Sequence, residues 1–247
     1  MPFDSILIPV EEAEAAATLL PLARALLPQG DGEITLLGLV SLPPDVSLSH
    51  GAAAARALRQ RLIALAAAHP ELPLRVRPRI RVSHTPWEEV LHFLQSNRVS
   101  LMLLPWDGDP EGWLLGVPLS RVLQEAPCDL LLVRGSIDTP WPRILLPVRG
   151  GPYTQLALEV ALTLAEAWDG QVTLLHAASE ARRIAAAFRP LARQFPRITR
   201  QMVAHREVVQ AVLEALPHHD GIVMGASTRP GGDGPVSYTH LRAHETG

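Results

Sequence analysis

Short runs of consecutive apolar residues recur along this chain, separated by stretches with helical spacing and punctuated by Gly, Pro, Asp and Ser. Phe3 to Val10 is the first run, the pattern of a strand buried on both faces of a parallel sheet. A helix is predicted over Ala13 to Leu27, a turn at Asp31-Gly32, and a second buried strand over Glu33 to Val40. A loop with Pro and Ser, Ser41 to His50, leads into an Ala-rich helix over Gly51 to His69. Leu74 to Val82 differs, because Leu74, Val76, Pro78, Ile80 and Val82 alternate with Arg75, Arg77, Arg79 and Arg81. Period two gives a strand with one wet face, and its internal proline restricts it to a sheet edge. Arginines on that face discourage edge-to-edge aggregation, and an anion-binding stripe is the functional alternative. Thr85-Pro86-Trp87-Glu88 reads as a capping box opening a helix from Pro86 to about Asn97. Ser100 to Leu104 is a fourth buried strand, followed by a Gly-containing loop, Pro105 to Gly116. A short helix over Pro118 to Glu125 and a fifth strand over Asp129 to Arg134 complete the series. Strands alternating with helices in this order predict an α/β fold with a doubly wound parallel sheet.

The series then repeats. Ser5-Ile6-Leu7-Ile8-Pro9-Val10 returns 138 positions later as Arg143-Ile144-Leu145-Leu146-Pro147-Val148. The same offset carries Asp31-Gly32 onto Asp169-Gly170 and Thr35-Leu36-Leu37 onto Thr173-Leu174-Leu175. A match spanning a strand, a helix and a second strand marks a duplicated domain rather than a solenoid. Domain one is expected over 1–134, a linker over 135–142 and domain two from 143. Domain two is predicted with strands over Arg143 to Val148, Gln171 to His176, Ile198 to Ala204 and Ile222 to Met224. Its helices are predicted over Tyr153 to Ala167, Ser179 to Gln194 and Val208 to Leu216. Near its fourth strand the offset has fallen to 120, pairing Pro105 with Gly225. After residue 235 the composition changes, and Val236 to Thr246 has no counterpart in domain one, where a helix and a fifth strand follow. This segment, 236–247, is expected to be a non-native tail resembling a translated sequencing adapter that truncates domain two. The second sheet is then expected to keep four strands, with an irregular tail making few core contacts. On that ground His240 and His244 are set aside as metal-ligand candidates.

Composition narrows the chemistry. Apolar residues make up 47% of the chain but aromatics only 4%, so the cores are expected to be built from Leu, Ala, Val and Ile. All 22 basic residues are arginine, which excludes a P-loop lysine, a Schiff-base lysine and a lysine general base. The net charge of -3 argues against wholesale nucleic-acid binding. A single cysteine, Cys128, excludes an internal disulfide and reads as a buried structural thiol. No apolar stretch approaches a membrane span and no leader pattern opens the chain, so a cytoplasmic location is expected.

Ile6-Leu7-Ile8-Pro9-Val10, Ser100-Leu101-Met102-Leu103-Leu104, and Arg121-Val122-Leu123 followed by Ala126-Pro127-Cys128-Asp129-Leu130-Leu131-Leu132-Val133 together resemble the universal stress protein family. Asp220-Gly221-Ile222-Val223-Met224-Gly225 is similar to that family's fourth strand. The resemblance implies two five-stranded sandwich domains packed as a pseudo-dimer, with a further homo-oligomer allowed and the protein partner unknown. ATP-binding members of the family use an acidic residue after the first strand and a loop G-x2-G-x9-G-[S/T] after the fourth. Carried onto this chain, the first loop glycine is Pro105, the next two are Gly108 and Gly116 with seven residues between them, and the hydroxyl position is Val117. The acidic position is Glu11. In domain two Gly225 keeps the first glycine, the second is Thr228, and the acidic position is Arg149. The resemblance thus points to Glu11, Val40, Gly108, Gly116 and Gly225 as the residues of a degenerate nucleotide site, with ATP bound weakly or not at all.

Remaining constellations carry less. His218-His219 reads as a solvated pair, and His84 and His205 as equivalent structural or pocket-rim positions after the third strands. Trp113, in the phosphate-loop region, is expected to fill space that a nucleotide would take. No hydrolase triad or metalloprotease pattern occurs, so the chain is expected to be a non-enzymatic stress-response or regulatory interaction module. The alternatives are an ATP-binding universal stress protein, a cytosolic regulatory domain of a transporter, or a nucleotide-dependent enzyme of the related α/β superfamily.

Overall fold

The computed structural model describes residues 3–27, 32–68, 75–135, 137, 139–148, 153–177, 195–204, 208–225 and 239–243. The helix expected over Ser179 to Gln194, and His205, Arg149 and Thr228, lie outside these residues. The chain divides into two compact units, Met1–Leu131 and Leu132–Gly247.

The first unit runs β1 (Ser5–Val10), α1 (Ala13–Leu26), β2 (Glu33–Ser41), α2 (Ala52–Ala67), β3 (Arg75–Ser83), α3 (Pro86–Ser96) and β4 (Leu101–Pro105). A small hairpin follows, β5 (Trp113–Leu114) and β6 (Val117–Pro118), then α4 (Leu119–Glu125) and β7 (Asp129–Arg134), whose last three residues fall in the second unit. Its sheet has the order β7-β4-β1-β2-β3. β1 pairs in parallel with β2 and β4, and β2 with β3. The continuous apolar runs are buried as their pattern requires, with Ile6, Leu7, Ile8, Leu36, Leu37 and Leu101 to Leu104 shut away from solvent. In β3 the alternation holds: Arg77, Arg79 and Arg81 are exposed while Val76, Pro78, Ile80 and Val82 are half-buried.

Right-handed crossovers place α1 and α2 over one face of this sheet and α3 and α4 over the other. α2 buries only Leu58 and Leu62, a narrow i,i+4 stripe. That stripe reaches the sheet at Gly38, where an added Cβ would lie 2.6 Å from Ile80 Cδ1 and 2.9 Å from Leu58 Cδ2. On the other face the wholly buried Trp87 of α3 donates from Nε1 to Glu125 of α4 at 2.7 Å. Arg121 then bridges Glu88 at 2.8 Å and Glu125 at 2.9 Å. The expected capping box does not form: Thr85 makes no side-chain cap bond, its N–H donates to Ser83 Oγ at 3.1 Å, and the Glu88 carboxylate pairs with Arg121.

The second unit contains β8 (Arg143–Val148), α5 (Tyr153–Ala167), β9 (Gln171–Ala177), β10 (Ile198–Ala204), α6 (Val208–Ala215), β11 (Gly221–Met224) and β12 (Thr239–Ala243). β10, β9, β8 and β11 form a parallel run in that order. The duplicated sequence has duplicated registers: Ser5 faces Glu33 as Arg143 faces Gln171, and Leu7 faces Met102 as Leu145 faces Ile222. Even the strand tie repeats with different chemistry. Ser100 Oγ accepts the Ser5 N–H at 3.2 Å, and Asp220 Oδ2 accepts the Arg143 N–H at 2.8 Å.

One expectation is corrected here. The second sheet does not stop at four strands, because β12 pairs antiparallel with β11, from Gly221 against Ala243 to Met224 against His240. An open strand edge offers unpaired backbone groups, and any extended segment within reach relieves them whatever its side chains. Near the end of the segment 135–142, Trp141 is buried, lies over Gly221, and makes an edge-on contact with Trp168 at 5.6 Å between ring centroids.

Candidate functional site

Parallel α/β sheets gather their loops at the carboxyl ends of the strands, where ligands of such folds bind. In the first unit this edge carries Glu11 after β1, Val40 near the end of β2, and the loop after β4. Glu11 is exposed and Val40 half-buried, facing Val82 across the β2–β3 ladder. After β3, His84 hydrogen-bonds through Nδ1 with the Leu42 carbonyl at 3.1 Å, which pins the two strand ends together. Gly225 directly follows β11 and belongs to the second unit, whereas the other four residues belong to the first.

The loop after β4 is closed on itself. Trp106 Nε1 donates to the Asp109 carbonyl at 2.9 Å. The Asp109 and Glu111 N–H groups donate to the Asp107 and Asp109 carboxylates at 2.9 and 3.0 Å. The Gly112 N–H reaches Asp109 O, and the Leu119 N–H reaches Gly112 O at 2.9 Å. A phosphate loop works by aiming backbone N–H groups outward at the anion. Here three such donors are spent within the loop and that of Leu119, at the start of α4, on Gly112 O; Pro105 has none to give, and Asp107, Asp109 and Glu111 add negative charge.

The missing loop length is explained by the hairpin. Leu114 faces Val117, so Leu115-Gly116 is a two-residue turn with φ of 54° and 79°. Positive φ at both central positions is the type I′ pattern that joins tight hairpins. Glycine is demanded at position 116 by this φ alone, since an added Cβ would meet nothing nearer than Pro86 Cδ at 3.7 Å. Gly108 also takes a positive φ, 101°. Both glycines that the motif shares with phosphate loops therefore serve local turns. Trp113 does not fill a nucleotide-sized space: it stands on the hairpin with 70% of its surface exposed.

Outside this edge, a cavity of about 340 Å³ at the opposite pole is lined by Asp4, Asn97, Arg98, Ser100 and Cys128 among others. Cys128 is half-buried rather than fully buried, and burial followed by the Asp129 carboxylate pushes its thiol up to about 12. His219 is buried and bonded through Nδ1 to the Ala215 carbonyl at 2.8 Å, while His218 is exposed. Arg121 and Asp220 form the main ionic clusters. The bonds from Arg121 and then from Trp87 hold the Glu125 carboxyl below its ordinary range. For Asp220 burial works upward, but the bonds from Arg143, at 2.7 and 3.2 Å, outweigh it and the net shift is downward.

Among solved structures, a universal stress protein from Archaeoglobus fulgidus DSM 4304 matches 97% of this chain and 98% of its own, with 14% identity and a TM-score of 0.66. The cytoplasmic domain of a prokaryotic cation chloride cotransporter matches 83% of this chain and 80% of its own, at 17% identity and TM-score 0.59. A putative universal stress protein from Pseudomonas aeruginosa UCBPP-PA14 matches 98% and 94%, at 16% identity and TM-score 0.55. At these identities the likeness is one of fold. No curated protein sequence matches the chain. The model of the universal stress protein family matches residues 2–134, more than half of the chain, and the chain therefore belongs to the universal stress protein family.

Proposed function

We propose that this chain is a tandem universal stress protein acting in the cytoplasm as a non-catalytic, stress-related interaction module with a degenerate nucleotide site in its first unit. One observation carries the reading: the loop after β4 consumes its own N–H donors and presents carboxylates where a triphosphate loop presents donors. Losing two or three charge-assisted hydrogen bonds, at about 1.5–3 kcal/mol each, weakens a nucleotide complex by several orders of magnitude. The repeated registers in the second unit support the tandem reading. Calorimetric titration of the whole chain with ATP and magnesium tests the proposal. The expected result is no saturable heat at micromolar protein and no nucleotide turnover, whereas a micromolar constant or ATP hydrolysis would overturn it.

A second reading, a regulatory part of a transporter, is favoured by the likeness to the cotransporter's cytoplasmic domain. Among the described residues no helix is long and apolar enough to cross a membrane. An immunoblot of fractionated source cells distinguishes the two: a band confined to the soluble fraction supports the first reading, and a membrane-bound band the second.

A further inference from the structure

We propose that the outer edge of the first sheet, β3, is a docking stripe for an extended acidic peptide segment. Arg77, Arg79 and Arg81 stand on one exposed face of this strand, and among described strands of the first unit β3 pairs with β2 alone. Alternate residues of a strand lie about 6.6 Å apart, which is also the spacing of alternate carboxylates on an extended peptide. The stripe is only partly neutralised. Arg77 meets Glu33 at 3.3 Å and Arg81 meets Glu89 at a loose 3.8 Å, both from half-exposed positions. Arg79, between them, has no carboxylate partner among the described residues.

Edge chemistry selects the class of partner. Recognition of an extended peptide at a sheet edge draws on main-chain bonds for affinity and on alternate side chains for specificity. On β3 the alternate set opposite the arginines, Val76, Ile80 and Val82, is apolar and half-buried. A partner alternating acidic and apolar residues matches both sets. Single-stranded nucleic acid would need aromatic stacking platforms, and β3 carries no aromatic residue. Pro78 lacks one edge donor, which limits uncontrolled strand addition and leaves the guanidinium groups to decide the choice. This names a partner class for the interaction module proposed above and rests on that reading only for its biological use. The peptide titration can fail while the nucleotide result stands, and the reverse.

Fluorescence anisotropy on the whole chain tests the inference with a labelled peptide in which Glu alternates with Val and Thr. Its controls are an isomer with all Glu residues at one end and a thymidine oligonucleotide of equal charge. The alternating peptide is expected to bind at low salt, several-fold more tightly than either control. Affinity should fall about threefold for Arg79→Gln and about thirtyfold for the triple change R77Q, R79Q and R81Q, in line with exposed ion pairs. Far-UV circular dichroism checks the fold, and if the triple variant does not fold, the single variant and the isomer comparison decide. Equal binding of the isomer, tighter binding of the oligonucleotide, unchanged affinity in the variants or no binding at low salt would each overturn the proposal.

Discussion

Gly38 lies where α2 comes down onto β2 and β3, and Gly38→Ala probes that contact. The added methyl would sit 2.6 Å from Ile80 Cδ1, 2.9 Å from Leu58 Cδ2 and 3.1 Å from Leu62 Cδ1. Leu58 and Leu62 are the two buried residues of α2, so the helix has no second stripe onto which to shift. Overpacking a core typically costs about 1–3 kcal/mol, and replacing a strand glycine returns about 0.5–1 kcal/mol of backbone entropy. The net expectation is a loss of about 1–2 kcal/mol, or roughly 3–8 °C in melting temperature for a domain of this size. Ile80→Val removes the methyl that makes the shortest contact. Alone it should cost about 0.5–1 kcal/mol, at the low end for a half-buried Ile. In the Gly38→Ala background it should be neutral or stabilising, a coupling of about 1 kcal/mol. Urea unfolding followed by circular dichroism, with scanning calorimetry to separate the two units, measures the four corners of the cycle. Strict additivity, or a neutral Gly38→Ala, would refute the packing argument.

Leu115→Asn should stabilise the first unit by roughly 0.5–1 kcal/mol, because asparagine tolerates the positive φ that leucine resists, whereas Gly116→Ala should cost about 1 kcal/mol; thermal melts check both. Asp220 has a folded pKa below its unfolded one, so its contribution is present above the unfolded value and disappears as pH falls through the folded one. Asp220→Asn should therefore lower stability at neutral pH and flatten its decline below about pH 4 in acid titrations, and an unchanged acid limb would contradict this. Cys128, with its thiol raised to about 12, should react with a maleimide at pH 8 far more slowly in the native chain than in urea; equal rates would show the thiol to be accessible and ordinary.

Much of this fold is legible in the sequence because parallel strands buried on both faces leave few alternatives. Ile6-Leu7-Ile8 and Leu101-Met102-Leu103-Leu104 admit no other placement, and the arginine alternation in β3 announces an edge. What escaped depends on partners distant in sequence or on local φ. Glu88 looks like a cap residue until Arg121 of α4 is beside it. The Leu115-Gly116 turn escaped because leucine at positive φ is a poor signal for a tight hairpin, and with it escaped the position of Trp113. β12 was not expected because Thr239–Ala243 lacks the apolar run of a buried strand; the open edge of β11, not the side chains of the segment, accounts for the pairing.

If the loop after β4 has lost the means to hold a triphosphate, repairing it restores binding. The repair changes Pro105→Gly and Val117→Ser and inserts two residues between Gly108 and Gly116, which opens the hairpin and restores the family spacing. Isothermal titration of the native and repaired chains with ATP and magnesium should show binding only in the repaired one, with Glu11→Ala weakening it again. Micromolar binding by the native chain would contradict the account, and so would a folded repaired chain that remains silent.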